Sequence, residues 1–327
     1  MSAPQRPSDA PSGPAQGLGP VVWRGGVNTW ECDEMGHMNV RFYLAKAMEG
    51  LAGLAARLGM PHAFTPYAEA TLIPLEHHIR FLKETHAGAA LYMTGGVVAL
   101  RAEGADLLQV LFDARTHAPA ATVISRVAHA RPRDAKAFAW PRRTEMAAAD
   151  LSIALPAFAA PRSVDWQAPP PLARVAEGDL ARLAPISLGH VTPQGVDVFG
   201  RMRAEEFIGR VSDGIGALLG DVRHVVAHAA AGQHARVGGA VLEYRLIYLD
   251  WPGIGEPVEV RSGLTAVADK VQHVGHWLLN PDTGTPLGFS EAVAVTFDLD
   301  TRKTIPISDA ARQALNGRLI PGHRFGA

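Results

Sequence analysis

The sequence predicts an α+β fold made of two tandem copies of one unit, each a long helix wrapped by an antiparallel sheet. Three observations predict it. The stretch Gly25–Gly50 is echoed by Gly189–Gly214 at a constant separation of 164 positions. In each copy one amphipathic stretch of helical period precedes four strand-like runs. The turns between those runs are short, which suits antiparallel neighbours.

The repeat is weak but ordered. It pairs Gly25 with Gly189, Val27 with Val191, Asp33 with Asp197, Gly36 with Gly200, Met38 with Met202 and Tyr43 with Phe207. Glu49 then meets Asp213, and Gly50 meets Gly214. Downstream, Leu75-Glu76 pairs with Leu242-Glu243 and Gly88 with Gly255, now 167 positions apart, so a short insertion intervenes. Matches that keep their order over both a helix and a strand point to two copies, the second more divergent.

Residues 1–19 are rich in Pro, Ser, Gly and Gln. They offer too little apolar surface to offset ordering and are expected to form a flexible tail. The first unit, 20–131, opens with a short strand ending near Cys32 and a turn at Asp33–Gly36. A helix is predicted from about Asn39 to Leu58, because Leu44, Ala47, Met48, Leu51, Leu54, Ala55 and Leu58 recur at three and four. Gly59 supplies its stop, with Pro61 beyond. Strands are expected at Thr71–Leu82, Ala90–Ala102, Leu107–Arg115 and Thr122–Arg131. Residues 132–184 read as a Pro-rich connection with short helical pieces near Thr144–Leu151 and Glu177–Leu183. The second unit, 185–307, repeats the order with a helix near Ala204–Leu219. Its strands are expected near Gly239–Leu249, Pro257–Ala268, Val271–Leu279 and Leu287–Phe297. Residues 308–327 read as a short helix and tail.

Of the 327 residues 47% are hydrophobic and 19% charged, enough apolar material for one or two cores and too much for a disordered chain. A net charge of -1 gives no global pull toward nucleic acid or acidic membranes. The single cysteine, Cys32, excludes an internal disulfide framework and a multi-cysteine zinc site. On a strand its side chain would point away from that of Asp33, so it reads as a small buried thiol. The N-terminal stretch lacks the apolar segment of a secretory signal, and no apolar run is long enough to span a bilayer. A cytoplasmic protein is expected.

The run Asp33-Glu34-Met35-Gly36-His37-Met38-Asn39-Val40-Arg41-Phe42-Tyr43 stands in front of the amphipathic helix. It resembles the acyl-CoA thioesterase motif of the hotdog fold, in particular that of the 4-hydroxybenzoyl-CoA thioesterase branch. The matching elements are an Asp, a Gly three later, a His beside it, an Asn, and a Tyr ten after the Asp. The resemblance covers both units. It implies a tandem double hotdog folded as a pseudo-dimer, which hydrolyses a small or medium acyl-CoA and needs no cofactor beyond the coenzyme A of its substrate. Two departures stand out. Val40 occupies a position where a second Asn often stands in this family. The second copy keeps Asp197 and Gly200 but has Arg201, Arg203 and Phe207 in place of His37, Asn39 and Tyr43. That favours a scaffold role for this copy, with Asp197 its remaining catalytic candidate.

Thioester hydrolysis needs an attacking oxygen and donors for the developing oxyanion. The start of a helix supplies unpaired N–H groups and a partial positive charge. Asp33 is therefore the candidate nucleophile or general base. The backbone N–H of Val40, with that of Arg41, is the candidate oxyanion hole, a main-chain role that tolerates the departure at Val40. Gly36 lets the loop turn. His37 and Asn39 are candidates to bond the loop or orient substrate. Tyr43, one turn beyond Asn39, is a candidate pocket wall. Glu49, echoed by Asp213, is a secondary carboxylate. Arg41, Arg131 and Arg133, together with Arg142-Arg143, are candidate partners for coenzyme A phosphates.

Each assignment has a structural rival. An Asp before a helix is usually a cap, worth about 0.5–2 kcal/mol; its ordered context favours chemistry here. Tyr43 suits a core equally well, and Glu49 a solvated flank. Glu76 and Glu243, opening the central strands, read as ordinary edge charges. His77-His78, His224 with His228, and His273 with His276 read as surface or satisfied core histidines, so no metal is assigned. The glycines of 214–220 fall inside a predicted helix rather than after a strand, which removes a dinucleotide loop. No Gly-x-Ser-x-Gly elbow appears. Two other functions fit the same scaffold. A hydratase or dehydratase would need an Asp/His constellation that is missing. A non-catalytic acyl-CoA binder or sensor would sit better with an attached output module, and none is visible. The partner expected is the acyl-CoA substrate, with no nucleic acid or membrane; further pairing of pseudo-dimers through their sheets is an option.

Overall fold

The computed structural model describes residues 17–168, 181–229 and 236–320. The first unit contains β1 (Val21–Gly26), α1 (Val40–Arg57), β2 (Thr71–Phe81), β3 (Ala90–Arg101), β4 (Gly104–Asp113) and β5 (Pro119–Ala130). The connection carries α2 (Arg142–Asp150). The second unit contains β6 (Ala184–His190), α3 (Ala204–Gly214), α4 (Gly216–Ala229), β7 (Val237–Tyr248), β8 (Pro257–Val267), β9 (Gln272–Leu279) and β10 (Pro286–Asp298). Helix α5 (Asp309–Asn316) follows.

All ten strands join one sheet in the order β1-β3-β4-β5-β2-β7-β10-β9-β8-β6. The units meet at its centre, where β2 pairs antiparallel with β7 from Glu76 opposite Ile247 to Arg80 opposite Glu243. Helix α1 forms where its periodicity places it. Asn39 caps it, accepting the Arg41 N–H at 3.0 Å, and Gly59 ends it at φ 79°. Leu44, Leu51 and Leu54 on its inner face are fully buried, each contributing about 1.5–3 kcal/mol. Helices α1 and α3 pack side by side over the inner face of the sheet. Arg41 lies across Gly209, where a Cβ would come within 2.9 Å of its Cδ, and ion-pairs with Glu206.

Four expectations are corrected. The first strand stops at Gly26, well before Cys32, and a 3-10 turn at Thr29–Glu31 intervenes. Glu31 holds that turn: its carboxylate accepts the Asn28 N–H at 2.8 Å and the buried Lys46 ammonium at 2.7 Å. Cys32 is thus half-buried in an isolated bridge to Met38 rather than in a strand, and its thiol faces the Asn28 carbonyl at 3.6 Å.

The helix predicted at Ala204–Leu219 is broken at Ile215 and resumes as far as Ala229. Glycines on both sides of Ile215 weaken the helix there. Gly214 also approaches β6 so closely that a Cβ would lie 1.9 Å from the Ile186 carbonyl oxygen.

Glu76 and Glu243 are not edge charges. Both are buried on the outer face of the sheet at the junction of the units. Glu76 pairs with Arg245 and with Arg126 at 3.0 Å, and Glu243 accepts from His78 Nε2 at 2.6 Å.

The Pro-rich connection forms a packed cover over this seam. Arg162 and Ser163 donate their N–H groups to Glu243 at 2.9 and 2.8 Å, Arg80 donates to the Phe158 carbonyl at 2.8 Å, and Trp166 stacks over Arg126. Buried carbonyls and carboxylates require such partners. The helical piece expected near Glu177–Leu183 falls largely outside the described residues, as do most of the N-terminal tail and the last seven residues. No described helix is long and apolar enough to cross a membrane.

Candidate active site

The turn before α1 is built around Asp33. Its Oδ1 accepts the N–H groups of Met35 at 2.9 Å and His37 at 3.0 Å. Its own N–H donates to the His37 carbonyl at 2.8 Å, and Gly36 closes the turn at φ 78°, a conformation that favours glycine. One carboxylate oxygen is therefore structural, and Oδ2 makes no hydrogen bond among the described residues. Asp33 is not the helix cap, since Asn39 fills that role.

The loop between β2 and β3 clasps this turn. Met38 donates its N–H to the Thr85 carbonyl at 2.8 Å, Tyr43 Oη lies 2.9 Å from Thr85 Oγ1, and His37 Nε2 stands 3.3 Å from Glu84. Burial raises the Tyr43 phenol above its ordinary range, against the pull of the Thr85 hydrogen bond. From the second unit, Ser212 on α3 accepts a 2.8 Å hydrogen bond from Asn39 Nδ2. The arrangement locks the start of α1 between the two units.

A cavity of about 540 Å³ opens at this point. Asp33, His37, Asn39, Val40 and Tyr43 line it from the first unit. The opposite walls come from the second: Ile208, Val211 and Ile215 beside the α3–α4 break, with Tyr244, Val274 and His276 on the sheet. Among the described residues the Val40 N–H has no acceptor, whereas the Arg41 N–H is taken by the Asn39 cap. Only the first of the two donors foreseen for an oxyanion is therefore free. Val40 N–H also sits at the positive end of an 18-residue helix.

The remaining sequence candidates lie elsewhere. Glu49 is exposed and accepts from Trp23 Nε1 at 2.6 Å, outside the cavity. Arg41 is tied to Glu206, Arg131 to Asp134 at 2.7 Å, and neither these nor Arg133 line the cavity. The cations that do are Lys83 and Arg223. Arg223 makes no hydrogen bond or ion pair among the described residues and lies over Gly239, where a Cβ would come within 2.6 Å of its Nε. His37, Glu84 and His86 bring three metal-ligating atoms within 4.8 Å of one another. Arg302 already pairs with Glu84, so the negative charge a divalent cation would need is in use.

The corresponding turn of the second unit is closed. Asp197 Oδ1 accepts the N–H groups of Phe199 at 2.8 Å and Arg201 at 3.0 Å, as Asp33 does in its own turn. Its Oδ2, however, is held by the Arg201 guanidinium at 3.0 and 3.2 Å, and Asp197 does not line the cavity.

Sequence reasoning missed Ser212, Arg223 and His276. One signal was present for His276: at the 167-position separation it falls on Gln109, a second polar residue at an inward strand position.

A family model described as the thioesterase-like superfamily matches the chain twice, over residues 27–151 and 191–315. A Lactobacillus plantarum protein assigned as an oleoyl thioesterase has a similar structure, at 12% identity and a TM-score of 0.61 over 84% of this chain and 95% of that one. The 12:0-ACP thioesterase of Umbellularia californica is similar at 9% identity and 0.61, covering 84% and 93%. An acyl-ACP thioesterase of Bacteroides thetaiotaomicron is similar at 10% and 0.57, covering 83% and 96%. At these identities the likeness is one of fold. A sequence search of curated proteins found no match.

Proposed function

The chain belongs to the thioesterase-like superfamily, and on that premise we propose that it hydrolyses a small or medium acyl-CoA to the free acid and coenzyme A, its two hotdog units acting as a pseudo-dimer around one working site. One observation carries the reading: a carboxylate oxygen and a helix-start N–H, neither with a partner among the described residues, line the same cavity.

Asp33 Oδ1 stays bonded to the turn, which aims Oδ2. As general base, Oδ2 takes a proton from a water that attacks the thioester carbonyl carbon. The carbonyl oxygen becomes an oxyanion held by the Val40 N–H and the positive helix end. Collapse breaks the carbon–sulfur bond, and the proton on Asp33 passes to the departing sulfur. As nucleophile, Oδ2 would instead form an anhydride that water then opens. A single turnover in ¹⁸O-water detects an anhydride that water opens at the Asp33 carboxyl carbon, because the first acid then leaves with an oxygen from Asp33 and the label enters Asp33. Arg223 and Lys83 are the cations placed to meet carrier phosphates. Asp197, neutralised by Arg201, serves as scaffold.

The test is a panel of acyl thioesters on coenzyme A and on acyl carrier protein, assayed by release of free thiol. Turnover that disappears in Asp33→Asn supports the proposal. Acyl-CoA binding without thiol release across the panel would replace it with a non-catalytic binder.

A further inference from the structure

The cavity floor differs between corresponding places in the two units. In the first, the aligned residues across β3, β4 and β5 are Gly95, Gln109 and Val123. Gln109 reaches up to α1, donating from Nε2 to the Ala47 carbonyl at 2.7 Å, and the helix sits so low that a Cβ on Gly50 would come within 2.6 Å of that nitrogen. In the second, the aligned residues across β8, β9 and β10 are Ser262, His276 and Ser290. Here the helix is broken at Ile215, and a hollow lies between the break and β9. His276 lines that hollow.

His276 is 1% exposed and has one hydrogen bond among the described residues, between Nδ1 and Ser262 Oγ at 2.7 Å. Ser262 is fully buried and has no other partner there. If Nδ1 carried the proton, the Ser262 hydroxyl hydrogen would be left without an acceptor, which costs about 1–3 kcal/mol. The satisfied arrangement has the Ser262 O–H donating to Nδ1, so the proton rests on Nε2. Burial holds the imidazole pKa down to about 3, so the ring is neutral. The result is an uncharged donor, without an acceptor among the described residues, in a hollow whose other walls include Ile208, Val211, Ile215 and Val274, with the Tyr244 ring stacked on His276 at 6.0 Å and its hydroxyl buried. A neutral donor among apolar walls selects an uncharged acceptor rather than a carboxylate.

We propose that His276 is a specificity-determining residue, and that the substrate's acyl arm crosses from Asp33 into the second unit and carries a hydroxyl or oxo oxygen that accepts from His276 Nε2. This rests on the thioesterase reading, with the unsubstituted part of the arm against the apolar walls.

The test uses matched sets of coenzyme A thioesters of equal chain length, unsubstituted, hydroxylated or oxo-substituted at several positions, with the full chain. The expected result is a kcat/KM preference of about tenfold or more for one hydroxy- or oxo-acyl member. In His276→Phe that preference collapses toward one, and His276→Gln, which returns a donor, restores part of it. No preference in the wild type, or one that survives in His276→Phe, overturns the proposal. Calorimetric binding of the matched free acids gives a readout independent of turnover. If no thioester is cleaved but substituted acids bind more tightly in a His276-dependent way, the thioesterase reading fails and the assignment of His276 stands. Equal binding of all the acids removes it.

Discussion

Asp33 and Asp197 close equivalent turns 164 residues apart, yet only Asp197 has its second carboxylate oxygen taken, by the guanidinium of Arg201 at 3.0 Å. The difference predicts unequal effects of one substitution. Asp33→Asn keeps an oxygen for the Met35 and His37 N–H groups, so the turn survives, and kcat falls by about 10²–10⁴. Asp197→Asn leaves kcat unchanged, because that oxygen has no access to the cavity. Steady-state thiol release, with circular dichroism as a fold check, reads both. A halved rate in the second variant would reveal two working sites.

Val40 offers a cleaner probe of the oxyanion contact. Proline is tolerated at the first position of a helix, and Asn39 already has the extended backbone, φ -62° and ψ 144°, that a following proline requires. Val40→Pro therefore deletes the N–H and spares the helix. A loss of about 10²–10³ in kcat at an unchanged melting temperature is expected. Full activity would move the oxyanion hole elsewhere.

Stability should fall on mild acidification. Burial lowers His77 and His276 to about 3, against 6.5 in the unfolded chain, so between those values the unfolded state binds more protons. Their neutral burial is free of penalty above about pH 6.5. Each residue then subtracts about 1.4 kcal/mol per pH unit as pH drops toward 3. Glu205, raised by burial, acts in the opposite sense just above the unfolded carboxylate value of 4.5. The pair together should cost about 4 kcal/mol between pH 7 and pH 5. Urea midpoints across that range measure it, and His276→Gln should halve the slope. A flat profile would mean that the rings are hydrated or charged in the native state.

The seam at the unit boundary should dominate stability. Glu76→Ala strands Arg245, which is 2% exposed, and is expected to cost about 3–5 kcal/mol. Arg131→Ala removes an exposed pair with Asp134 and should change stability by under about 1 kcal/mol, with KM unaltered. Denaturant midpoints and KM values decide both. A raised KM in the second variant would return Arg131 to the coenzyme A contacts.

Legibility in the sequence followed range. Helix α1, its Asn39 start and its Gly59 stop are set by neighbours within a few residues, and so they were predictable. The break in the second helix was hinted at by Gly214 and Gly216, but its consequence, a hollow over His276, depends on β9 lying beneath it. Glu76 and Glu243 looked like surface charges because their partners Arg245 and His78 arrive from the other unit, some 165–169 positions away. Arg41 faced the same limit: its sequence neighbours suggested a phosphate contact, and Glu206 on α3 claims it instead. Of the thioesterase-type motif, the loop from Asp33 to Tyr43 is local, and it lines one side of the cavity. The wall supplied by the second unit was beyond reach.

The connection laid over the β2–β7 junction joins both units in one polypeptide. In an assembly of two identical chains, any mutation appears in both halves, so a hollow cut in one partner would be cut in the other. Tethering lifts that rule. One half can keep its helix tight and its reacting groups in place, while the other trades symmetry for room, and selection can tune bond cleavage and ligand choice as separate traits within a single gene.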